Sequence, residues 1–197
     1  MKVFKFLLFL YANLSFCQTS NEEILASQHG NNCVRNKDVK FEKLIKKYPF
    51  NKASKIQIVS FVYENTIILD DKGEGIESIQ RDSLPRKGNW LDYENLKEYK
   101  DLELPSIKLL TDVLYNYNYD RKKGLVNTMA SCYMPRNAIV FLDKEDSIIE
   151  FLEICFDCSQ VKVFKKDNFG EFCQGKLDLI KNFFLMHGIK YGIKERE

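Results

Sequence analysis

Histidine is one of the scarcest residue types in this sequence. Among 197 residues there are two, His29 and His187, so nitrogen ligands for a metal and imidazole bases for catalysis are few. The chain also lacks a Gly-x-Ser-x-Gly turn, a glycine-rich phosphate loop and a His-Glu-x-x-His pair. These are the signatures of common hydrolase, nucleotide-binding and zinc-protease sites. We therefore assign no catalytic residue and no cofactor, and the sequence favours a protein that is not an enzyme.

Clusters of like charge and long apolar runs are also missing. The chain carries 30 basic and 28 acidic residues without a basic block. Nucleic acids and anionic membranes attract such a block, so we expect neither as a partner. An unknown protein or small molecule is the expected partner. Beyond residue 17 no run approaches the roughly 18–20 apolar residues that span a bilayer, so no transmembrane span is predicted in the mature chain.

One apolar stretch does occur, at the N-terminus, and it is typical of a secretory signal peptide. Lys2 and Lys5 precede an unbroken apolar run over residues 6–11. This pattern is too short for a membrane helix and fits a signal peptide over residues 1–17. Cleavage is predicted to leave Gln18 as the new N-terminus. It removes two lysines and no acid, so the exported chain has equal numbers of basic and acidic residues.

Two other interpretations of this segment stay open. Cys17 is a candidate for lipidation as the first residue of a lipoprotein, and Leu14 suits that pattern. Phe16 does not suit it, because the position before the cysteine takes a small residue, so the lipoprotein ranks second. A buried helix of a cytosolic protein ranks third, because residues 6–12 offer no polar face.

The rest of the chain predicts an α+β fold in one domain. Residues 18–37 are polar and are predicted to form a flexible N-terminal arm, followed by a single domain over residues 38–197. The domain is expected to contain an antiparallel sheet, with a meander in its C-terminal half, covered by two or three amphipathic helices. Helices are predicted over residues 39–48, 105–117 and 172–187, and strands over 55–63, 66–69, 137–142, 148–156 and 160–164. Residues 76–100 are predicted to be irregular.

The hairpin of the meander has a predictable register. A turn centred on residues 145–146 pairs Val140 with Phe151 and, by extension, Arg136 with Cys155. Glu150 and Glu153 then point to opposite faces of their strand, so they are not expected to act together as a carboxylate pair.

The same register brings cysteines together at one end of the hairpin. Cys132 arrives beside Cys155 and Cys158, and Cys173, which opens the last helix, is close in sequence to the third strand. We expect these four to share one corner of the sheet. Of six cysteines, five follow residue 17, so at least one, for example Cys33, is left unpaired or pairs between chains.

Three roles remain open for the cysteine corner. Structural disulfides are favoured by export into an oxidising compartment. A metal site is the second, since Cys155-x-x-Cys158 with two further cysteines is a zinc-like ligand set, although oxidising conditions oppose four free thiolates. Thiol-redox catalysis is the third. It lacks the helix that lowers the thiol pKa in such motifs, because strand-like sequence follows Cys158.

Arg136 is the charged residue that we single out. It follows Pro135 and precedes a strand that looks buried on both faces, so its guanidinium needs a carboxylate or several carbonyls to hold it. A structural ion pair that fastens the sheet edge is the favoured role. An anion-binding fork is the alternative, because the planar guanidinium suits carboxylate or phosphate.

Two segments carry a resemblance to a known group. Residues 132–141 read Cys-Tyr-Met-Pro-Arg-Asn-Ala-Ile-Val-Phe, and residues 153–158 read Glu-Ile-Cys-Phe-Asp-Cys. They resemble an uncharacterised group of exported Bacteroidota-type proteins with a CYxPRxxxxF…ICFxC signature, and residues 169–193 resemble the tail of that group. The resemblance implies a bacterial envelope location and a cysteine corner, and it implies no reaction.

The sequence therefore predicts an exported protein, in the periplasm or secreted, that serves as a disulfide-stabilised binding or structural module. The alternative is a thiol-redox or metal-binding protein that uses the corner of Cys132, Cys155, Cys158 and Cys173.

Overall fold

The computed structural model describes residues 33–63, 65–69, 72–80, 84–122, 132–166 and 169–193. Three α-helices lie in this part of the chain: α1 (Phe41–Leu44), α2 (Leu104–Asn116) and α3 (Gln174–Met186), together with a 3-10 helix over Tyr93–Asn95. The strands are β1 (Cys33–Arg35), β2 (Lys55–Phe61), β3 (Asn65–Leu69), β4 (Gly75–Gln80), β5 (Arg86–Lys87), β6 (Trp90–Leu91), β7 (Leu96–Asp101), β8 (Tyr117–Tyr119), β9 (Asn137–Leu142), β10 (Ile148–Cys155) and β11 (Gln160–Val163).

The centre of the fold is a five-stranded antiparallel sheet in the order β11-β10-β9-β2-β7. The predicted α+β class is confirmed. The three predicted strands of the meander are β9, β10 and β11, and the predicted register is confirmed where Val140 pairs with Phe151. A bulge between Ile148 and Glu150 shifts the pairing next to the turn, where Ile148 pairs with Leu142.

Both faces of the sheet are buried at β2 and β9, which explains why β9 is apolar in five of its six positions and why β2 carries apolar residues on both faces. On one face, alternate residues of β2, β9 and β10 share a core cluster with residues of α2 and α3, among them Ile58, Leu152, Leu114 and Phe183. On the other face, Val59, Val140 and Phe151 pack with residues of the connection before β7, such as Leu84 and Leu91.

The two buried glutamates of β10 lie on opposite faces, as predicted. The Glu150 side chain is fully buried, and Oε1 accepts the backbone N–H groups of Phe151 (3.1 Å) and Lys165 (2.9 Å). Its Oε2 accepts the N–H of Lys166 (3.0 Å) and the hydroxyl of Tyr48 (3.3 Å). Glu150 thus provides the hydrogen-bond acceptors for the backbone N–H groups of Lys165 and Lys166, in the segment that follows β11.

Glu153 does the same on the other face. Oε1 accepts the N–H of Leu84 at 2.9 Å, and Oε2 accepts the Tyr133 hydroxyl at 3.1 Å. Burial and then the Glu153 carboxylate raise the pKa of Tyr133. Each carboxylate is therefore occupied in holding a neighbouring segment.

The predicted helix over residues 39–48 is wrong in length. Only Phe41–Leu44 is helical, and the residue before it is Lys40, which makes no side-chain cap. Asn116 explains the late start: its Oδ1 accepts the N–H of Val39 (3.0 Å) and its Nδ2 donates to the Val39 carbonyl (3.2 Å). Asp38, which precedes this segment, pairs with Arg35.

The prediction that residues 76–100 are irregular is also wrong, because most of them form strands β4 to β7. β7 pairs with β2 along the edge of the main sheet, and most of its side chains are exposed. A polar edge strand shows no apolar alternation, so its pairing with β2 is invisible in its own sequence. The short β5–β6 pair leaves Trp90 55% exposed, while its neighbour Leu91 is buried.

The last residues of the predicted N-terminal arm are part of the fold. Cys33–Arg35 is strand β1, which pairs with β8 directly after α2. The predicted signal peptide and the arm up to residue 32 lie outside the described residues. None of the helices in the described part of the chain is long and apolar enough to cross a bilayer.

Candidate functional site

The five cysteines that the structure describes form two disulfides and leave one free thiol. Cys33 pairs with Cys173 (Cα–Cα 5.8 Å) and Cys155 pairs with Cys158 (Cα–Cα 5.2 Å). Cys132 is a partly exposed free thiol. Cys173 is therefore joined to β1 rather than to the other three cysteines of the predicted corner.

The arrangement of the described cysteines does not favour the metal-binding role or the thiol-redox role. Among the residues that the structure describes, no group of three or more His, Cys, Asp or Glu is placed to hold a metal ion. Cys155 and Cys158 span the turn between β10 and β11, and both are buried. Reactive thiols are partly exposed and often lie at a helix N-terminus, and the Cys155–Cys158 pair has neither property.

Arg136 lies beside this turn and pairs with a carboxylate within it. Its Nη2 donates to Oδ2 of Asp157, and the Arg136 side chain is only 13% exposed, whereas Asp157 is 55% exposed. The backbone carbonyl of Arg136 accepts the N–H of Phe61 at 2.9 Å. Arg136 thus connects the end of β2 with the turn that holds the Cys155–Cys158 disulfide.

Arg136→Lys is expected to lower the free energy of unfolding by about 1–2 kcal/mol, because lysine cannot reproduce the planar guanidinium in a largely buried position. Urea unfolding measures the change. Arg121→Lys is the matched control, since Arg121 also pairs with a carboxylate, Glu171, but is 79% exposed. Equal stability of the two variants would contradict a structural role for Arg136.

A cleft lined by residues of β1, α1, α2 and the end of α3 is a feature that the sequence did not predict. It has a volume of about 490 Å³ and lies between α1, the start of α2 and the end of α3. Its wall is about half apolar, with Phe41, Leu109 and Met186 among its residues, and about half polar, including three cations and two carboxylates. The cations are Arg35, Lys40 and Lys108. This volume and mixed character are typical of small-molecule sites.

No protein-family model matches this chain, and no curated protein or solved structure is significantly similar to it. What the cleft can do chemically follows from its own residues.

Arg35 is fixed at the edge of the cleft by two carboxylates. Its Nη2 donates to Asp112 Oδ1 (2.9 Å) and to Asp38 Oδ1 (3.1 Å), and its Nε donates to Asp112 Oδ2 (3.3 Å). The two oxygens of Asp112 therefore accept from one edge of the guanidinium, a bidentate geometry that orders it. Arg35 lowers the pKa of Asp38, and Asp112 in turn raises the pKa of Arg35.

Ser106 and His187 meet in the wall of the same cleft. Ser106 Oγ lies 2.7 Å from His187 Nε2, and His187 Nδ1 lies 2.7 Å from the Phe183 carbonyl oxygen. The contact connects the first turn of α2 with the residue that directly follows α3. In the sequence, His187 was visible only as a residue near a helix end, and nothing marked Ser106 as its partner.

Tyr48 provides a pH-dependent contribution to stability beside Glu150. Burial and then the Glu150 carboxylate raise the pKa of Tyr48 to about 12, from the usual 10. Between pH 10 and 12 the unfolded chain loses this proton before the folded chain does, so stability is full below pH 10 and falls as pH rises. When the pH is raised from 10 to 12, the urea midpoint of Tyr48→Phe should therefore fall less than the urea midpoint of the wild type. Parallel curves for the two proteins would contradict this.

Proposed function

We propose that the protein is an exported, disulfide-stabilised module that binds a small amphipathic ligand in the cleft between α1, α2 and α3. The main support for this proposal is the cleft itself. Its wall combines apolar residues with one more cation than carboxylates, which suits a molecule with an apolar body and an acidic group.

The Cys33–Cys173 disulfide supports this proposal because it connects the cleft to the core. Arg35 is two residues from Cys33 in β1, and Cys173 directly precedes α3, whose last residues line the cleft. Both sulfurs are buried, and Cys33 Sγ also accepts the N–H of Lys176 at 3.0 Å. A disulfide at this position favours an oxidising compartment, in agreement with the predicted signal peptide.

Binding can be tested with the fluorescent anion 1-anilinonaphthalene-8-sulfonate, titrated into the exported, oxidised protein. Met186→Glu places a negative charge in the cleft wall, and we expect it to weaken binding about tenfold. Leu104→Glu is the matched control, since Leu104 is an exposed apolar residue of α2 outside the cleft wall. Equal effects of the two variants, or no saturable binding by the wild type, would refute the cleft as a ligand site.

Export is tested separately by expressing the full chain in a bacterial host and measuring the intact mass in each cell fraction. A periplasmic or secreted protein that begins at Gln18 supports the proposal. A cytoplasmic protein that retains residues 1–17 contradicts it, and a lipid-modified Cys17 would favour the lipoprotein.

The thiol-redox or metal-binding alternative predicts accessible thiols. We expect iodoacetamide, applied to the native protein without reductant, to modify Cys132 and no other cysteine that follows residue 17. Cys132 is the partly exposed free thiol, whereas the other four are buried and paired. Peptide mass mapping gives the result. If Cys155, Cys158 and Cys173 were alkylated as well, these cysteines would not be in disulfides. That result would contradict the disulfide-stabilised module and favour the thiol-redox or metal-binding alternative.

A further inference from the structure

The contact between Ser106 and His187 has the geometry of an activated hydroxyl. The Phe183 carbonyl, 2.7 Å from Nδ1, can only accept a hydrogen bond, so Nδ1 carries the proton of the neutral ring. Nε2 is then an acceptor, and the Ser106 hydroxyl donates to it at 2.7 Å. A hydroxyl bonded to a base that a third group orients is the general signature of a nucleophile.

The surroundings of this pair fit chemistry at the Ser106 oxygen. Ser106 and His187 both line the cleft and both are partly exposed, so a ligand in the cleft can reach them. The ring of His187 packs on Phe183 with 4.3 Å between centroids, which restricts its rotation.

Ser106 is also the third residue of α2. In this first turn the N–H groups of Leu104 and Ser106 have no acceptor within the helix, whereas Pro105 has no N–H and Ile107 donates to the Glu103 carbonyl at 2.9 Å. The residue before α2, Glu103, makes no side-chain cap. The first turn therefore retains donors of the kind that stabilise an oxyanion.

We propose that Ser106 and His187 form a catalytic pair that hydrolyses small carboxylic esters with an apolar acyl chain. Ser106 Oγ bonds to the acyl carbon while His187 Nε2 takes the hydroxyl proton. The bond to the alcohol oxygen breaks, and Nε2 gives that proton to the alcohol. Water then attacks the acyl carbon and passes a proton to Nε2, the Oγ–acyl bond breaks, and Oγ takes the proton back. The net reaction converts an ester and water into an acid and an alcohol.

This activity rests on the proposed cleft and can fail separately from it. The test uses the oxidised protein, a fluorophosphonate probe that phosphonylates activated serines, and p-nitrophenyl butyrate as substrate. We expect the probe on Ser106 by peptide mass mapping. Ser106→Ala and His187→Ala should each lower ester hydrolysis by about 100-fold or more. Ser54→Ala, at an exposed serine outside the cleft wall, is the control and should keep the wild-type rate.

The outcomes separate the activity from binding. Labelling of Ser106 that disappears in His187→Ala, with 1-anilinonaphthalene-8-sulfonate still bound by that variant, supports the catalytic pair. An unlabelled wild-type protein that still binds the fluorescent anion overturns the esterase and leaves the binding module. Labelling at another hydroxyl, or labelling of Ser106 that does not depend on His187, also overturns it.

Discussion

Glu150→Ala is expected to lower the free energy of unfolding by roughly 3–5 kcal/mol, because the fully buried carboxylate is the acceptor for four donors at once, one of them buried and three partly buried. Three backbone N–H groups and the Tyr48 hydroxyl point to its two oxygens. Each buried donor that loses its acceptor costs about 1–3 kcal/mol, and the side chain leaves a cavity in addition. Chemical denaturation with far-UV circular dichroism measures the loss.

Two further variants identify the cause of this loss. Glu150→Gln keeps the side-chain volume and one acceptor oxygen, but it replaces the other oxygen by an NH₂ group that cannot accept from the N–H donors. We therefore expect a smaller loss than for Glu150→Ala, of about 1–3 kcal/mol. Glu145→Ala changes an exposed glutamate in the turn before β10 and should have little effect. If Glu150→Ala were no less stable than Glu145→Ala, the donors around Glu150 would have to find other acceptors, and the proposed role would be wrong.

Removing the disulfide between Cys33 and Cys173 is expected to cost roughly 4–5 kcal/mol. The bond joins residues 140 positions apart, and the entropy that a cross-link removes from the unfolded chain grows with the length of the closed loop. The double variant Cys33→Ser/Cys173→Ser avoids a leftover thiol. We expect it to unfold at a much lower temperature than the wild type and to bind the fluorescent anion more weakly, since β1 carries Arg35 to the cleft.

The second disulfide is a matched comparison within the same protein. Cys155 and Cys158 are only three positions apart, so the chain-entropy account predicts a loss of about 2 kcal/mol for Cys155→Ser/Cys158→Ser. Cys132→Ser, at the free thiol, should be nearly neutral. A larger loss for the short loop than for the long one would show that the loop length does not determine the stabilisation.

The pattern of apolar and turn-forming residues was sufficient to predict elements whose pairing partners are neighbours in the sequence. The hairpin of β9 and β10 could be placed with its register because the turn and the apolar runs are adjacent, and the only deviation is the bulge beside Ile148. By contrast, β7 reads as polar sequence because it is an edge strand, and only its pairing with β2 makes it a strand. The shortening of the first helix depends on Asn116, which is far away in sequence.

The candidate site could not be predicted for the same reason. The cleft combines three segments, near residues 35–44, 105–112 and 186–187, which are brought together by the packing of α1 and α3 against α2. The sequence shows where the cysteines are, but it does not show that Cys33 pairs with Cys173, because no local pattern relates β1 to the start of α3. Arg136 and Asp157 were closer to being predictable, because the hairpin register places Arg136 opposite Cys155.

The bond between β1 and the start of α3 also determines how the protein responds to mechanical tension. A force applied to its two ends passes directly through the sulfurs of Cys33 and Cys173 and bypasses the 140-residue separation between them. Only the short segments outside this ring can lengthen. Reduction of the bond would release a further ~45–50 nm of chain at about 3.3–3.6 Å per residue. The oxidised protein therefore lengthens much less under load than the reduced one.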